Sequence, residues 1–128
     1  MRNAELEGQN LKENVIVDKS KAFALRIIKL YKYLCDDKKE FVLSKQILRS
    51  GTSVGANVKE AIRGQSKADF YAKMNIALKE ISETEYWLEL LYESDYIEKT
   101  HFDSIYKDCQ ELIKLLVSIT KTQKGGNS

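Results

Sequence analysis

The feature that most constrains the fold of this sequence is an apolar repeat that runs from Phe70 to Leu91. Its members are separated by 4, 3, 4, 3, 4 and 3 residues, which is the period of one helix face and suits near-parallel helix packing. They are Phe70, Met74, Ala77, Ile81, Thr84, Leu88 and Leu91. We therefore predict a helix over about 67–93, with Ser66 and Asp69 as a capping box at its start.

Three weaker repeats predict three more helices. The first is expected to begin between Val15 and Asp18 and to end near Asp37. The second is expected over about 42–63, ending at Gly64, and the fourth should follow a capping box at Thr100–Asp103 and end near Lys121. Their seams are Phe23, Ile27, Leu30 and Leu34; Ile47, Gly51, Val54, Val58 and Ala61; and Phe102, Tyr106, Cys109, Leu112 or Ile113, Leu116 and Ile119.

Four amphipathic helices with short polar connectors predict an all-α fold, an antiparallel up-down-up-down four-helix bundle. The absence of proline from the 128 residues agrees with this prediction. We expect a flexible leader over residues 1–14, the bundle over 15–122 and a flexible tail over 123–128. No stretch approaches the ~20 apolar residues of a membrane span, and no signal peptide is recognisable.

Charge is distributed unevenly along a chain whose formal net charge is only +2. Residues 18–49 contain nine Lys/Arg and four Asp/Glu, whereas residues 79–98 contain one Lys and seven Asp/Glu. Such a dipolar subunit favours self-association of unlike faces as readily as nucleic-acid binding. Cys35 and Cys109 show neither metal-ligand nor redox-motif spacing, so we expect two buried free thiols in a reducing cytoplasm.

Several residues of the second and third helices are not explained by one core. Gly51 and Gly55 lie within a helix, where each glycine costs about 1 kcal/mol relative to alanine. They indicate close approach by another helix, either of the same chain or of a neighbouring subunit. On the third helix an apolar cluster lies opposite the seam, among charged residues, and consists of Ile76, Tyr86, Trp87 and Leu90. This pattern indicates either an oligomer interface or an ordinary snorkelling surface.

The flank of the second helix carries polar residues at helical spacing. They are either a polar ladder between helices or a ligand contact, and a carboxylate is the favoured partner of Arg49. The predicted oligomer interface comprises Arg49, Ser53, Asn57, Glu60, Lys79, Glu83, Tyr86, Trp87 and Leu90. Lys21, Lys29 and Lys32 form either a solvated basic face or a nucleic-acid contact face.

The sequence contains no recognisable catalytic constellation. Its one histidine, His101, falls at a predicted helix start, where a capping role is expected. Glu80 and Glu83 lack the Glu-x-x-His spacing of a di-iron bundle. No glycine-rich phosphate loop follows a strand. We therefore expect no enzyme, no metal site and no cofactor.

The segments QILRSGTSVGAN (46–57), SKADF (66–70) and ETEYWLELL (83–91) resemble the bacterial four-helix bundle proteins associated with intervening sequences in 23S ribosomal RNA genes. The resemblance covers about 14–118. That family is similar in fold to accessory proteins of diversity-generating retroelements, which are basic pentamers that bind nucleic acid and a reverse transcriptase. The resemblance implies a ring-like homo-oligomer, a pentamer in particular, without established enzymatic activity.

Two functions are consistent with this sequence. The first is a cytoplasmic, homo-oligomeric accessory protein that binds RNA or DNA. The second is a protein–protein interaction scaffold without nucleic-acid affinity, which the mild pI of about 8.4 favours. The resemblance adds a reverse transcriptase as an expected type of protein partner.

Overall fold

The computed structural model of the protein consists of α-helices joined by short connectors. It describes the backbone of residues 4–126 and the side chains of residues 11–121. Within these residues there are four helices and no strand: α1 spans Ala4–Asp36, α2 spans Leu43–Ile62, α3 spans Lys67–Glu93 and α4 spans Lys99–Gly126. The all-α prediction is confirmed, and the predicted bounds of α3 agree with those observed.

The helices surround one core. Helix α1 packs against α2 and α4, and α3 packs against the same two helices. In the described part of the chain neither α1 with α3 nor α2 with α4 forms a packed pair. The α1–α2 pair and the α3–α4 pair therefore lie on opposite sides of the molecule.

The predicted seams form the core. Each large apolar side chain buried there contributes about 1.5–3 kcal/mol through removal of its surface from water. The fully buried members include Ile27, Leu34, Ile47, Met74, Ile81, Leu88, Leu91 and Leu116. Four predicted seam residues are only half-buried: Leu30, Phe70, Phe102 and Tyr106. Tyr71 takes the buried position beside Phe70, with the two rings meeting edge to face at 5.1 Å, and Ile105 takes it near the start of α4.

Helix α1 begins at Ala4, well before the predicted start between Val15 and Asp18. The sequence before Val15 lacks an apolar period, but it contains good helix formers such as Glu, Leu, Gln and Lys and no proline. An amphipathic pattern therefore located the part of the helix that packs, which starts with the fully buried Ile16. The flexibility of residues 1–14 and 123–128 stays a prediction. The structure describes a helical backbone over 4–14 and 123–126, and residues 1–3 and 127–128 lie outside the described residues.

Helix α2 is capped by Glu40, a residue of the connector between α1 and α2. The carboxylate of Glu40 accepts hydrogen bonds from the backbone N–H groups of Leu43 at 3.0 Å and Ser44 at 2.7 Å. Glu40 is buried, although it follows a turn in which Lys39 adopts a left-handed φ of 54°. A negative charge at a helix N-terminus satisfies free N–H donors and complements the helix dipole.

The turn between α2 and α3 follows the predicted chemistry. Ser66 Oγ accepts a hydrogen bond from the backbone N–H of Asp69 at 3.0 Å, which confirms the predicted cap of α3. Helix α2 ends just before Gly64, whose N–H donates to Ala61 O at 3.0 Å. No described glycine has a positive φ, so Gly64 is not a left-handed cap. A Cβ at Gly64 would lie 3.1 Å from Ala61 O, so the tight turn itself favours glycine.

The predicted capping box at the start of α4 is wrong. Helix α4 begins at Lys99, so Thr100 already lies inside its first turn. Asp103 instead forms an ion pair with Lys99 at 2.7 Å, one turn earlier. His101 is exposed in this first turn and lies beside a groove rather than at a cap.

Candidate functional site

The outer face of α2 and α3 holds eight of the nine predicted interface residues, all except Trp87, and we call it the α2–α3 face. Arg49 links its two helices: Nη1 lies 2.9 Å from Glu80 Oε2, and Nη2 contacts Glu83 Oε2. The predicted carboxylate partner of Arg49 is therefore present within the same chain. Desolvation lowers the pKa of Arg49, but the adjacent Glu80 and Glu83 outweigh this effect and raise it.

The other α2 members of this face bond mainly to their own helix. Ser53 Oγ donates to Arg49 O at 2.7 Å, and Asn57 Nδ2 donates to Ser53 O at 2.9 Å. Glu60 reaches α3 through an ion pair with Lys73 at 3.2 Å. A polar ladder between helices thus exists at Arg49 and Glu60, whereas Ser53 and Asn57 satisfy carbonyls one turn back along α2.

A buried hydroxyl pair joins α2 to α3 beneath this face. Thr84 Oγ1 lies 2.8 Å from both Ser50 Oγ and the backbone oxygen of Glu80. Ser50 and Thr84 are fully buried. The helical period placed Thr84 in the seam of α3 but left Ser50 out of the seam of α2, although Ser50 lies between the seam residues Ile47 and Val54. A hydroxyl residue among apolar seam residues on each of two adjacent helices was the sequence feature that could have predicted this hydrogen bond.

The aromatic pair at the end of this face divides between surface and core. Tyr86 is 54% exposed, whereas Trp87 is half-buried and packs against the core cluster. Their ring centroids are 5.4 Å apart. The sequence pattern placed Trp87 in the exposed cluster opposite the seam of α3. The structure instead places its ring against the core. Its indole Nε1 is the one buried side-chain nitrogen or oxygen without a hydrogen-bond partner among the described residues.

Exposed apolar area accompanies Tyr86 on α3. Ile76 is 41% exposed, Leu90 is half-buried and Lys79 is exposed. A helical wheel places these four residues on one side of α3. An apolar strip with charged neighbours of this kind is typical of a surface that another protein covers.

The basic face of α1 is partly neutralised by α4. Lys19 contacts Glu111, and Arg26 donates to Asp108 at 2.7 Å and to Ser104 at 3.1 Å. By contrast, Lys21, Lys29 and Lys32 are exposed, and among the described side chains none of them forms an ion pair. The three predicted nucleic-acid contacts are thus the cations of residues 19–32 that remain free of carboxylates.

Two grooves flank α1. The groove between α1 and α4 has a volume of about 370 Å³ and is lined by Lys29, Tyr33 and His101 above apolar residues. The groove between α1 and α2 has a volume of about 590 Å³ and includes Lys21. Lys21 and Lys29 therefore open toward different grooves, so the basic face is wider than a single groove.

The remaining titratable groups do not assemble a catalytic or metal centre in the described residues. No group of three or more His, Cys, Asp or Glu residues there could hold a metal ion. Cys35 and Cys109 are free thiols. Burial, followed by nearby carboxylates, raises the pKa of Cys109, so this thiol is a poor nucleophile. No described helix is both long and apolar enough to cross a membrane.

Comparison with known proteins identifies the family. The sequence profile of the 23S rRNA-intervening sequence proteins matches residues 12–118, most of the chain. The chain belongs to the 23S rRNA-intervening sequence protein family. The family assignment confirms the resemblance carried by the segments at 46–57, 66–70 and 83–91.

One solved relative supports both family and fold. It is a protein with unknown function from the S23 ribosomal protein family of Bacteroides thetaiotaomicron, known from its crystal structure. It is 60% identical to this chain, with a TM-score of 0.84, and the match covers 86% of this chain and 98% of the relative. No curated protein matches the sequence.

Proposed function

We propose that the protein is a non-enzymatic, homo-oligomeric RNA-binding accessory protein that acts in the cytoplasm. Its subunit is an antiparallel up-down-up-down four-helix bundle, and the favoured assembly is a ring of five. The supporting observations are the three free lysines of α1, the exposed apolar strip of α3 and the family itself, whose description links it to 23S rRNA intervening sequences.

The contact pairs support the antiparallel arrangement. Along α1 and α4, Lys12 contacts Ser118, Lys19 contacts Glu111 and Arg26 contacts Asp108, so residue numbers rise on one helix as they fall on the other. The same opposition holds for α2 and α3, where Arg49 pairs with Glu83 and Glu60 pairs with Lys73.

The α2–α3 face supports self-association. Tyr86 and Ile76 expose apolar area that a lone bundle leaves in water, and burying such area is the main driving force of assembly. Changing Tyr86 to Glu should shift the protein toward monomer in light scattering, with Phe41→Glu, at a site 52% exposed, as a control of similar initial exposure. Trp87→Ala is a poor probe, since Trp87 packs against the core and its loss would destabilise the subunit.

The observation that carries the RNA-binding proposal is the selective pairing on α1. Acidic residues of α4 neutralise Lys19 and Arg26, yet Lys21, Lys29 and Lys32 have no carboxylate within ion-pair distance among the described residues. Lysines in this state can release counterions from a phosphate backbone. Several copies in one assembly would multiply this otherwise modest charge.

RNA binding is tested by fluorescence anisotropy with labelled single-stranded and hairpin RNAs at several salt concentrations. We expect affinity to fall steeply with salt. The double change Lys29→Ala and Lys32→Ala should weaken binding and reduce the slope of log K against log salt by about 1.4, since each single-strand phosphate contact contributes about 0.7.

The matched control changes Lys107 and Lys114 to Ala, two exposed lysines on α4. These changes remove the same amount of charge and should leave the slope of log K against log salt at its wild-type value. Absence of RNA and DNA binding at low salt would contradict the proposal, as would equal losses in both double variants.

The alternative function is a protein-interaction scaffold without nucleic-acid affinity. The specific observation in its favour is the formal net charge of only +2, which is small for a nucleic-acid module. Co-purification of one defined protein, such as a reverse transcriptase, from nuclease-treated extract, together with no RNA binding at low salt, would favour the scaffold.

A further inference from the structure

The groove between α1 and α2 has features that the core of a single subunit does not require. Its volume is about 590 Å³, and it lies on the side of the molecule opposite the α3–α4 pair. The floor is made of small and apolar residues, and the rim carries three basic side chains. The floor includes Val17, Ala24, Gly55 and Val58, and the rim includes Lys21, Lys59 and Arg63 together with the exposed Ala56 and Ile62.

Gly55 is not explained by packing within the subunit. A Cβ atom there would lie 3.4 Å from Ser20 O, an ordinary van der Waals distance, so alanine would fit. Gly51, one turn earlier, is different, since its Cβ would lie 2.7 Å from Ile27 Cγ1. A glycine inside a helix weakens that helix. At position 55 the absent side chain keeps the groove floor open to something outside the subunit.

The rim of the groove is cationic and unpaired. Lys21, Lys59 and Arg63 are exposed, and no ion pair involves any of them in the described part of the chain. Asp18 is the one carboxylate among the residues that line this groove. Its occupant should therefore combine negative charge with a surface that fits a shallow apolar floor.

We propose that this groove receives the outer face of α3 from a second copy of this chain, with Tyr86 on the floor and Glu93 against Lys59 and Arg63 of the basic rim. The inference rests on the proposed homo-oligomer and identifies the α1–α2 groove as the surface that the outer face of α3 contacts on the next subunit. Tyr86 is 54% exposed and Glu93 is exposed. Glu93, seven residues after Tyr86, lies on the same side of α3.

Charge and topology favour a second copy. Of the seven acids in residues 79–98, Glu80 and Glu83 pair with Arg49 and Glu89 accepts a hydrogen bond from Tyr106. The other four, Glu85, Glu93, Asp95 and Glu98, have no ion pair among the described side chains and complement the groove rim. The α3 helix of the same subunit cannot occupy the groove, because α1 and α3 are not packed together. A contact between two different surfaces of identical subunits is head-to-tail, the type that closes into rings.

A helix suits the groove better than a phosphate backbone does. Helices approach each other closely when a glycine or alanine leaves room for the side chains of the partner. A phosphate backbone requires the cations of the rim, but it gains nothing from a glycine floor. The combination of Gly55 with Lys59 and Arg63 therefore points to an acidic helix.

The test is a charge exchange in the full-length protein, followed by analytical ultracentrifugation over a concentration series. Reversing the rim with Lys59→Glu and Arg63→Glu should raise the subunit dissociation constant by about tenfold or more, which corresponds to about 1.4 kcal/mol. Reversing the charge of α3 with Glu93→Lys should act in the same direction, and this residue has no ion pair among the described side chains. Combining the three changes should restore part of the assembly.

Two further variants keep the result interpretable. Lys107→Glu with Lys114→Glu reverses two exposed lysines outside the groove and should leave the mass unchanged. Gly55→Ala should retain full helicity by circular dichroism, because the methyl group has room, and yet weaken association by filling the floor. If the charge-reversed variants do not fold, Gly55→Ala still decides, since a folded variant with wild-type association overturns the inference.

The outcomes separate this inference from the proposed function. An oligomer that none of the groove or α3 variants weakens overturns the inference and leaves the oligomer standing. A wild-type protein that stays monomeric at all concentrations overturns both. Rim variants that lose RNA binding but keep their mass overturn the inference and assign the groove to nucleic acid.

Discussion

A Cβ atom on Gly51 would lie 2.7 Å from Cγ1 of Ile27, closer than real Cβ atoms come to other heavy atoms. Helix α2 therefore approaches α1 at this point closely enough to exclude any side chain. Ile27 is fully buried and branched at Cβ, so it cannot swing away. The close approach that the two glycines indicated is thus made, at Gly51, by a helix of the same chain.

Replacing Gly51 with Ala should destabilise the subunit. We expect a loss of about 1–2 kcal/mol in the free energy of unfolding, because overpacking costs about 1–3 kcal/mol and the gain in helix propensity returns at most about 1 kcal/mol. Urea denaturation followed by circular dichroism measures this. Gly55→Ala is the matched control one turn later, and at subunit concentrations below assembly it should be neutral or slightly stabilising.

Replacing Glu40 with Ala should weaken the start of α2. The carboxylate bonds the N–H groups of Val42, Leu43 and Ser44 at distances of 3.3, 3.0 and 2.7 Å. Losing a helix cap typically costs about 0.5–2 kcal/mol. Asp37→Ala, at an exposed site in the same connector, removes the same charge and should cost much less. Equal unfolding midpoints for the two variants would show that Glu40 does not cap the helix.

Replacing Thr84 with Val should cost about 1–3 kcal/mol, the penalty for leaving a buried polar group without its partner. Val keeps the shape of Thr but removes the hydroxyl bonded to Ser50 at 2.8 Å. Ser82→Ala removes an exposed hydroxyl bonded within α3 and should change stability by less than about 0.5 kcal/mol. A double-mutant cycle with Ser50→Ala should give a coupling energy, whereas additive losses would contradict the pairing.

Stability should decline at alkaline pH through Tyr106. The hydrogen bond from its hydroxyl to Glu89 Oε2 at 2.5 Å, followed by burial and nearby carboxylates, raises the pKa of Tyr106 above its ordinary value of 10.0. Below pH 10 the phenol is neutral in both folded and unfolded chains, so this contribution is fully present. Above pH 10 the unfolded chain loses the proton first, and the contribution is progressively lost.

Urea unfolding on both sides of pH 10 measures this loss. Tyr106→Phe should be less stable than wild type at neutral pH but should show a shallower decline above pH 10. Part of the decline should remain in that variant, since burial also raises the pKa of Cys109. Parallel declines for the two proteins would contradict the role of Tyr106.

The helical period predicted most of this fold because the positions of the apolar seam residues are determined by burial alone. The seam of α3 and the bounds of that helix could be predicted, since an apolar residue every three or four positions has one arrangement that removes it from water. The start of α1 could not, because residues before Val15 form a helix without burying a face. Glu40 was missed because its role depends on a chain reversal that brings its carboxylate back to α2.

The candidate site could be predicted only in part, for a different reason. The carboxylate partner of Arg49 was predictable because Glu80 and Glu83 follow on the next helix at matching height. The position of Trp87 was not, since a helical wheel gives the direction of a Cβ and not how far a large indole reaches back toward the core. The groove beside Gly55 depends on the spacing of two helices, which no local pattern encodes.

The polar links between α1 and α4 have a consequence for how the molecule opens. Lys12–Ser118, Lys19–Glu111 and Arg26–Asp108 connect the first and last helices through half-exposed or exposed groups, at intervals of seven residues along α1. Exposed pairs of this kind hold weakly and are screened by salt. The first and last helices are therefore joined by an electrostatic contact along their length, and raised ionic strength should loosen the contact between α1 and α4 first.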